Sequence, residues 1–211
     1  MLNIVWADAD LISPSFDASV SAYRRKKLDS TKLERARRCS LCAELLLNES
    51  VLSADDSMPL PLSIETDENG KPYLSGRPYE FSLSHSGHFA ACALSDVPVG
   101  LDIQTLAKYN EQLVKRFFAD GEQEYIRNAN DRDTAFTRLW CRKESYLKAI
   151  GAGLRLPLNS FDLSGDRPTA RYKDIAYGFR EYHTDELFFC VCMPCDKLPD
   201  AIRPQQIQLP Q

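Results

Sequence analysis

Two stretches of the chain carry charged groups in apolar surroundings. The first is VGLDIQ, residues 99–104. In an extended strand alternate side chains face opposite ways, so Val99, Leu101 and Ile103 share one face and Gly100, Asp102 and Gln104 the other. A carboxylate in such a strand is costly to bury unless it is paired or metal-bound, and Gly100 beside it leaves room for a close approach. The second is LWCRKESYLKAIGAGL, residues 139–154. Trp140, Glu144 and Lys148 recur at four-residue spacing and fall on one face of a helix. Asp102 could simply bond a turn, and Glu144 and Lys148 could be an ordinary surface pair. If Glu144 meets Asp102, however, two carboxylates converge and a cation belongs between them. Oxygen ligands with open positions suit Mg²⁺, which keeps waters and binds substrate phosphates. Lys143 and Lys148 would then hold phosphate oxygens around that metal.

SLSHSG, residues 82–87, adds donors. Ser84, His85 and Ser86 precede Gly87 at an expected strand break, where hydroxyls, an imidazole and backbone N–H groups can face an anion. A Ser-His hydrolase is the competing reading, but the G-x-S-x-G elbow is missing. Cys190, Cys192 and Cys195 lack the paired spacing of a zinc site, and Cys190 and Cys192 read as small buried residues on one strand face.

Elements must position these groups. LNIVWA at 2–7 reads as a strand and residues 19–49 as a helix with Leu41, Leu45 and Leu46 on its apolar stripe. Asn69-Gly70 is a turn signal ahead of Pro72. HFAACALS and PVGLDI read as strands, as do RYKDIAYGFREY and ELFFCVCM. Residues 106–128 read as helical, interrupted near Asp120 and Gly121. Residues 133–150 read as a helix that ends at Gly151 and Gly153. HFAACALSD and ELFFCVCMPCD echo each other, one late in each half. The expected organisation is an N-terminal lobe over 1–103, a C-terminal lobe over 104–193, and a loose tail over 194–211 with four prolines.

A net charge of −4 over 211 residues excludes a surface that is basic throughout, so neither nucleic acid nor a membrane is an expected partner. Residues 24–38 are the exception, with eight Lys or Arg against Asp29 and Glu34, a local +6. Seven cysteines without a disulfide framework, no signal-like start and no long apolar run point to a reducing cytoplasm. Phe117 and Phe118 beside Lys115 and Arg116 read either as an anchor for an acidic protein or as core.

GKPY, FSLSHSGHFAACALSDVPVGLDIQ and FTRLWCRKESYLKAIGAGLRLPLNSF resemble the 4'-phosphopantetheinyl transferases of the larger, surfactin-synthetase-activating type. That family carries a G-x-D strand motif and, some forty residues on, a W-x-x-K-E-x-x-x-K helix. The resemblance runs over roughly residues 20–165. It implies an α+β fold of two similar lobes related by a pseudo-twofold axis, in a monomer, with coenzyme A between them. It implies a holo-[acyl-carrier-protein] synthase activity: the phosphopantetheine arm moves to a serine of an apo acyl or peptidyl carrier protein, releasing 3',5'-ADP. It further implies Mg²⁺ held by Asp102 and Glu144, pyrophosphate contacts from Lys143 and Lys148, coenzyme A contacts from Ser84 and His85, and an adenine site including Gly70, Lys71 and Pro72. Lys26 and Arg38 match positions for the 3'-phosphate. Gln104 stands where these relatives usually have Glu, at the third metal-ligand position. Two other readings remain: a non-catalytic module binding coenzyme A or carrier proteins, and a different Mg²⁺-dependent phosphotransferase.

Overall fold

The computed structural model describes residues 1–12 and 20–209. They form an α+β protein of two compact units, residues 1–97 with 203–211, and residues 98–202.

In the first unit, β1 (Leu2–Asp8) pairs antiparallel with β5 (Phe89–Ser95), and β5 pairs antiparallel with β4 (Glu80–Ser86). Gln205–Gln206, the last strand β10, joins the other edge parallel to β1. The expected single helix over 19–49 is two helices, α1 (Ala22–Ser30) and α2 (Glu34–Ala54). The chain turns extended at Thr31, whose N–H closes back onto the Leu28 carbonyl. α2 buries Leu46, Leu47 and Val51 against the sheet, where β5 is buried along its whole length. Between α2 and β4 lies a short hairpin, β2 (Ile64–Thr66) and β3 (Pro72–Leu74). Its turn is held by the Asp67 carboxylate, which accepts from the Asn69 and Lys71 N–H groups at 2.8 and 2.9 Å. Gly70 there has φ +83°, as Asn69-Gly70 predicts.

The second unit is a sheet in the order β6 (Gly100–Gln104), β9 (Phe188–Pro194), β8 (Ile175–His183), β7 (Thr169–Tyr172), antiparallel throughout. After β6 come α3 (Glu111–Phe117), α4 (Asp120–Asn128) and α5 (Arg132–Ile150). Asp131 caps α5 by accepting from Asp133 and Thr134 N–H, and Gly151 ends it at φ +65°. α5 packs on β6 and β9. The Phe117–Phe118 alternative resolves toward core: Phe118 is 1% exposed among Phe136 and Trp140, and Phe117 is half-buried beside Trp140.

The sequence echo has a structural basis. Each unit begins with a strand, continues through helices, and ends in a hairpin whose last strand inserts beside the first, giving β1-β5-β4 and β6-β9-β8. The two echoing stretches are β5 and β9, the inner strands. Two boundaries differ from expectation. β6 belongs to the second unit because it pairs with β9, so the division falls near 97 instead of 103. The tail is not loose over its described length: Ile202 and Leu209 are buried, and Ile207 N–H donates to the Trp6 carbonyl at 2.9 Å. Residue 19 of the expected helix and residues 210–211 of the tail lie outside the described residues.

Candidate active site

Strand alternation works in β6 as the sequence requires. Val99, Leu101 and Ile103 are fully buried on one face, and Gly100, Asp102 and Gln104 face α5. The close approach allowed by Gly100 is made by α5 itself and not by a ligand. A Cβ built there would lie 1.9 Å from the Ser145 carbonyl oxygen and 2.4 Å from the Ala149 nitrogen. Gly100 therefore sets how closely α5 lies on the strand that carries Asp102.

Asp102 is 3% exposed. Lys148 Nζ donates to Asp102 Oδ1 at 2.7 Å and to the Leu101 carbonyl at 3.1 Å, joining α5 to β6. Gln104 Nε2 donates to Asp102 Oδ2 at 2.9 Å. Gln104 thus turns its amide nitrogen to the carboxylate. Beneath, the Cys141 thiol donates to the Asp102 carbonyl at 3.2 Å. Glu144, one turn before Lys148, is half-buried. Burial raises its carboxyl above the ordinary glutamate range, the negative charge of Asp102 raises it further, and Lys148 opposes both. The two carboxylates are therefore near enough to repel each other. Among the described residues no group of three or more His, Cys, Asp or Glu is suited to a metal ion. Two coupled carboxylates fit part of the shell of a hard cation that takes its remaining ligands from water and substrate.

Lys143 is a correction. It is fully buried, and Nζ donates to Glu122 Oε2 at 2.6 Å and to the carbonyls of Leu158 and Phe161 at 2.6 and 2.9 Å. An ammonium has three donors, and all three are taken, so Lys143 is not placed to hold a pyrophosphate. Sequence reading missed its partner Glu122. The sequence shows Glu122 only as one acid among several in FFADGEQE; in the structure it is buried in the first turn of α4 and also accepts from Ala119 N–H at 2.8 Å.

The remaining candidates lie in the first unit. SLSHSG is not a break: β4 continues through Ser84, His85 and Ser86 and turns only at Gly87, φ +61°. Along it Ser84 is buried and His85 exposed. Lys71 follows the Gly70 turn and stands 3.9 Å from Glu80 at the start of β4, with Pro72 opening β3. In the basic segment Lys26 is exposed and borders an open groove with Arg25, Asp29 and Pro61. Arg38 is half-buried, with Nε 3.4 Å from Glu34. Arg24 is withdrawn from the surface, donating to Glu44 at 3.0 Å and Ser40 at 2.7 Å. Cys190 and Cys192 are buried as expected, and Cys195 is exposed.

Residues 98–192 match the 4'-phosphopantetheinyl transferase superfamily. Over 149 residues the chain is 32% identical to a 4'-phosphopantetheinyl transferase of Bacillus subtilis, covering 69% of this chain and 66% of the relative. It is 33% identical over 124 residues to the 4'-phosphopantetheinyl transferase gsp of Aneurinibacillus migulanus, covering 58% and 52%. It is 35% identical over 105 residues to the 4'-phosphopantetheinyl transferase Sfp of Bacillus subtilis strain 168, covering 48% and 47%. The matches thus span between about half and two thirds of these relatives' lengths. The matched segment holds β6 with Asp102 and α5 with Glu144 and Lys148, so the candidate site lies where the chain is similar to the 4'-phosphopantetheinyl transferase superfamily.

Proposed function

We propose that this protein transfers the 4'-phosphopantetheine arm of coenzyme A to a serine of an apo carrier protein and releases 3',5'-ADP. The observation that carries the reading is the juxtaposition of Asp102, Lys148 and Glu144 on two elements of the matched segment. The serine oxygen forms a bond to the phosphorus nearest pantetheine, and the bond from that phosphorus to the bridging oxygen breaks. The leaving 3',5'-ADP carries away the electron pair. Glu144 takes the serine proton, directly or through a water it orients. Lys148, on Asp102 in the resting state, supplies a cation to the pyrophosphate as charge builds there. Asp102 and Glu144 would hold Mg²⁺, which when bound neutralises pyrophosphate charge.

In the first unit we assign Ser84, His85, Gly70, Lys71 and Pro72 to coenzyme A, and Lys26 and Arg38 to its 3'-phosphate. No described helix is long and apolar enough to cross a membrane. The test is incubation with coenzyme A, Mg²⁺ and an apo acyl or peptidyl carrier protein. A carrier mass gain of one phosphopantetheine, with 3',5'-ADP in the supernatant, supports the transferase. Binding of coenzyme A with no mass gain on any carrier points to a non-catalytic module.

A further inference from the structure

We infer that Lys143 is a positioning residue: with Glu122 it fixes the roll of α5 that presents Glu144 and Lys148 to Asp102. The inference rests on the transferase reading of this site and names how the site is held. Lys143 and Glu122 are both fully buried and sit 2.6 Å apart. Each is bonded in several directions. Lys143 reaches the carbonyls of Leu158 and Phe161, and its ammonium lies 4.2 Å from the centre of the Phe161 ring. Glu122 accepts from Leu163 N–H at 2.9 Å and Ala119 N–H at 2.8 Å. The pair therefore ties α5 to the start of α4 and to the loop over 158–163. Arg142, the preceding residue, acts on the same loop, donating to the Leu163 and Gly165 carbonyls at 2.7 Å each and to Glu181 on β8. Two consecutive residues of α5 are thus fixed by groups outside the helix. Glu144 follows them directly, and its direction is set by the roll they fix.

A surface lysine would tolerate a wide range of helix rolls; this one does not. Its three donors have three fixed acceptors, and both members of the pair are shielded from solvent. A rotation of α5 would pull Nζ from carbonyls that belong to another segment and leave buried groups without partners, which is unfavourable. Gly100 fixes how near α5 lies to β6, and the Lys143–Glu122 pair fixes its rotation. Together they define where Glu144 and Lys148 stand. Reactive groups misplaced by about 1 Å can cost on the order of a hundredfold in rate, so this clamp is expected to act on turnover and not on coenzyme A affinity.

The test uses the full chain with Lys143→Met and, because that variant could fail to fold, Glu122→Gln. Each is assayed well below its own melting temperature. Coenzyme A Kd comes from calorimetry without Mg²⁺, so that the coupling to the metal does not enter, and kcat from carrier modification with Mg²⁺. The expected result is a kcat lowered about tenfold or more in each folded variant, with coenzyme A Kd within about twofold of wild type. A Kd raised tenfold in Lys143→Met would make Lys143 a phosphate ligand and overturn the inference. Wild-type kcat in folded Glu122→Gln would leave the pair merely structural and overturn it as well. If the wild-type protein neither binds coenzyme A nor modifies a carrier, it is the transferase reading that fails, and the variants then have no turnover to compare.

Discussion

Gln104 donates its side-chain amide to Asp102 Oδ2 at 2.9 Å, while Lys148 holds Oδ1 at 2.7 Å. Both oxygens of the carboxylate proposed to bind Mg²⁺ therefore have hydrogen-bond donors of the chain's own. A glutamate at 104 would present a third negative group; glutamine presents a donor. We expect Mg²⁺ to bind weakly until coenzyme A arrives and the two to bind with strong reciprocal coupling. Gln104→Glu should tighten Mg²⁺ in the protein without coenzyme A and reduce that coupling. Calorimetric Mg²⁺ titrations of both proteins, with and without coenzyme A, measure this. Equal Mg²⁺ affinity of the wild type in both conditions would oppose it.

Gly100→Ala should disable the protein through α5. The added Cβ would meet backbone atoms of Ser145 and Ala149, which cannot rotate away. Overpacking of a rigid site costs about 1–3 kcal/mol and occasionally more. The expected outcome is a lowered melting temperature together with lost transfer, because relief of the clash moves Glu144 and Lys148. Thermal denaturation and the carrier-modification assay read both effects; unaltered stability would mean that α5 does not lie where described.

The local placement of these candidate residues was legible in the sequence. Strand alternation placed Asp102 and Gln104 on one face, and helical spacing put Glu144 and Lys148 one turn apart, because both periodicities are local geometry. What lay hidden depended on partners far along the chain. Lys143 reads as a second phosphate-facing lysine until Glu122 and the 158–163 loop arrive around it. Gly100 reads as room for a ligand until α5 fills that room. Thr31–Leu33 interrupts a pattern that looked like one helix, and the buried Arg24–Glu44 pair withdrew one of the basic residues. The edge pairing of Gln205–Gln206 with β1 has no periodic signature, since two residues make no pattern.

Acid should weaken the link from α5 to β8. Burial raises the Glu181 carboxyl, but its bonds to Arg138 and Arg142 outweigh that and hold it below the ordinary glutamate range. A carboxyl with a depressed folded value contributes stability above its unfolded value, and that contribution is lost as pH falls through the folded value. Glu181→Gln is therefore expected to lower stability at neutral pH by on the order of 2 kcal/mol. For a chain of this size that is a melting shift of about 4–8 °C. The gap between variant and wild type should narrow on acidification below the glutamate range. A gap independent of pH would show that charge is not what Glu181 contributes.

Lys26→Ala and Arg38→Ala should weaken coenzyme A more than its 3'-dephospho form. A charge-assisted contact to phosphate is worth about 1.5–3 kcal/mol, so the difference between ligands should exceed about tenfold. Arg38 gives up little by turning to a phosphate, since its Glu34 contact is long and partly exposed. Competition binding with the two ligands separates the outcomes. Equal losses for both would assign the basic segment to something other than the 3'-phosphate.

The most direct measurement is the intact mass of an apo carrier protein after incubation with coenzyme A, Mg²⁺ and wild type, Asp102→Ala or Glu144→Ala. Circular dichroism should confirm that all three proteins are folded. Wild type should add one phosphopantetheine per carrier, and each variant should add none within the time wild type needs to complete the reaction. Wild-type-like turnover by either folded variant at saturating Mg²⁺ would contradict the assignment of Asp102 and Glu144 as the centre of the reaction.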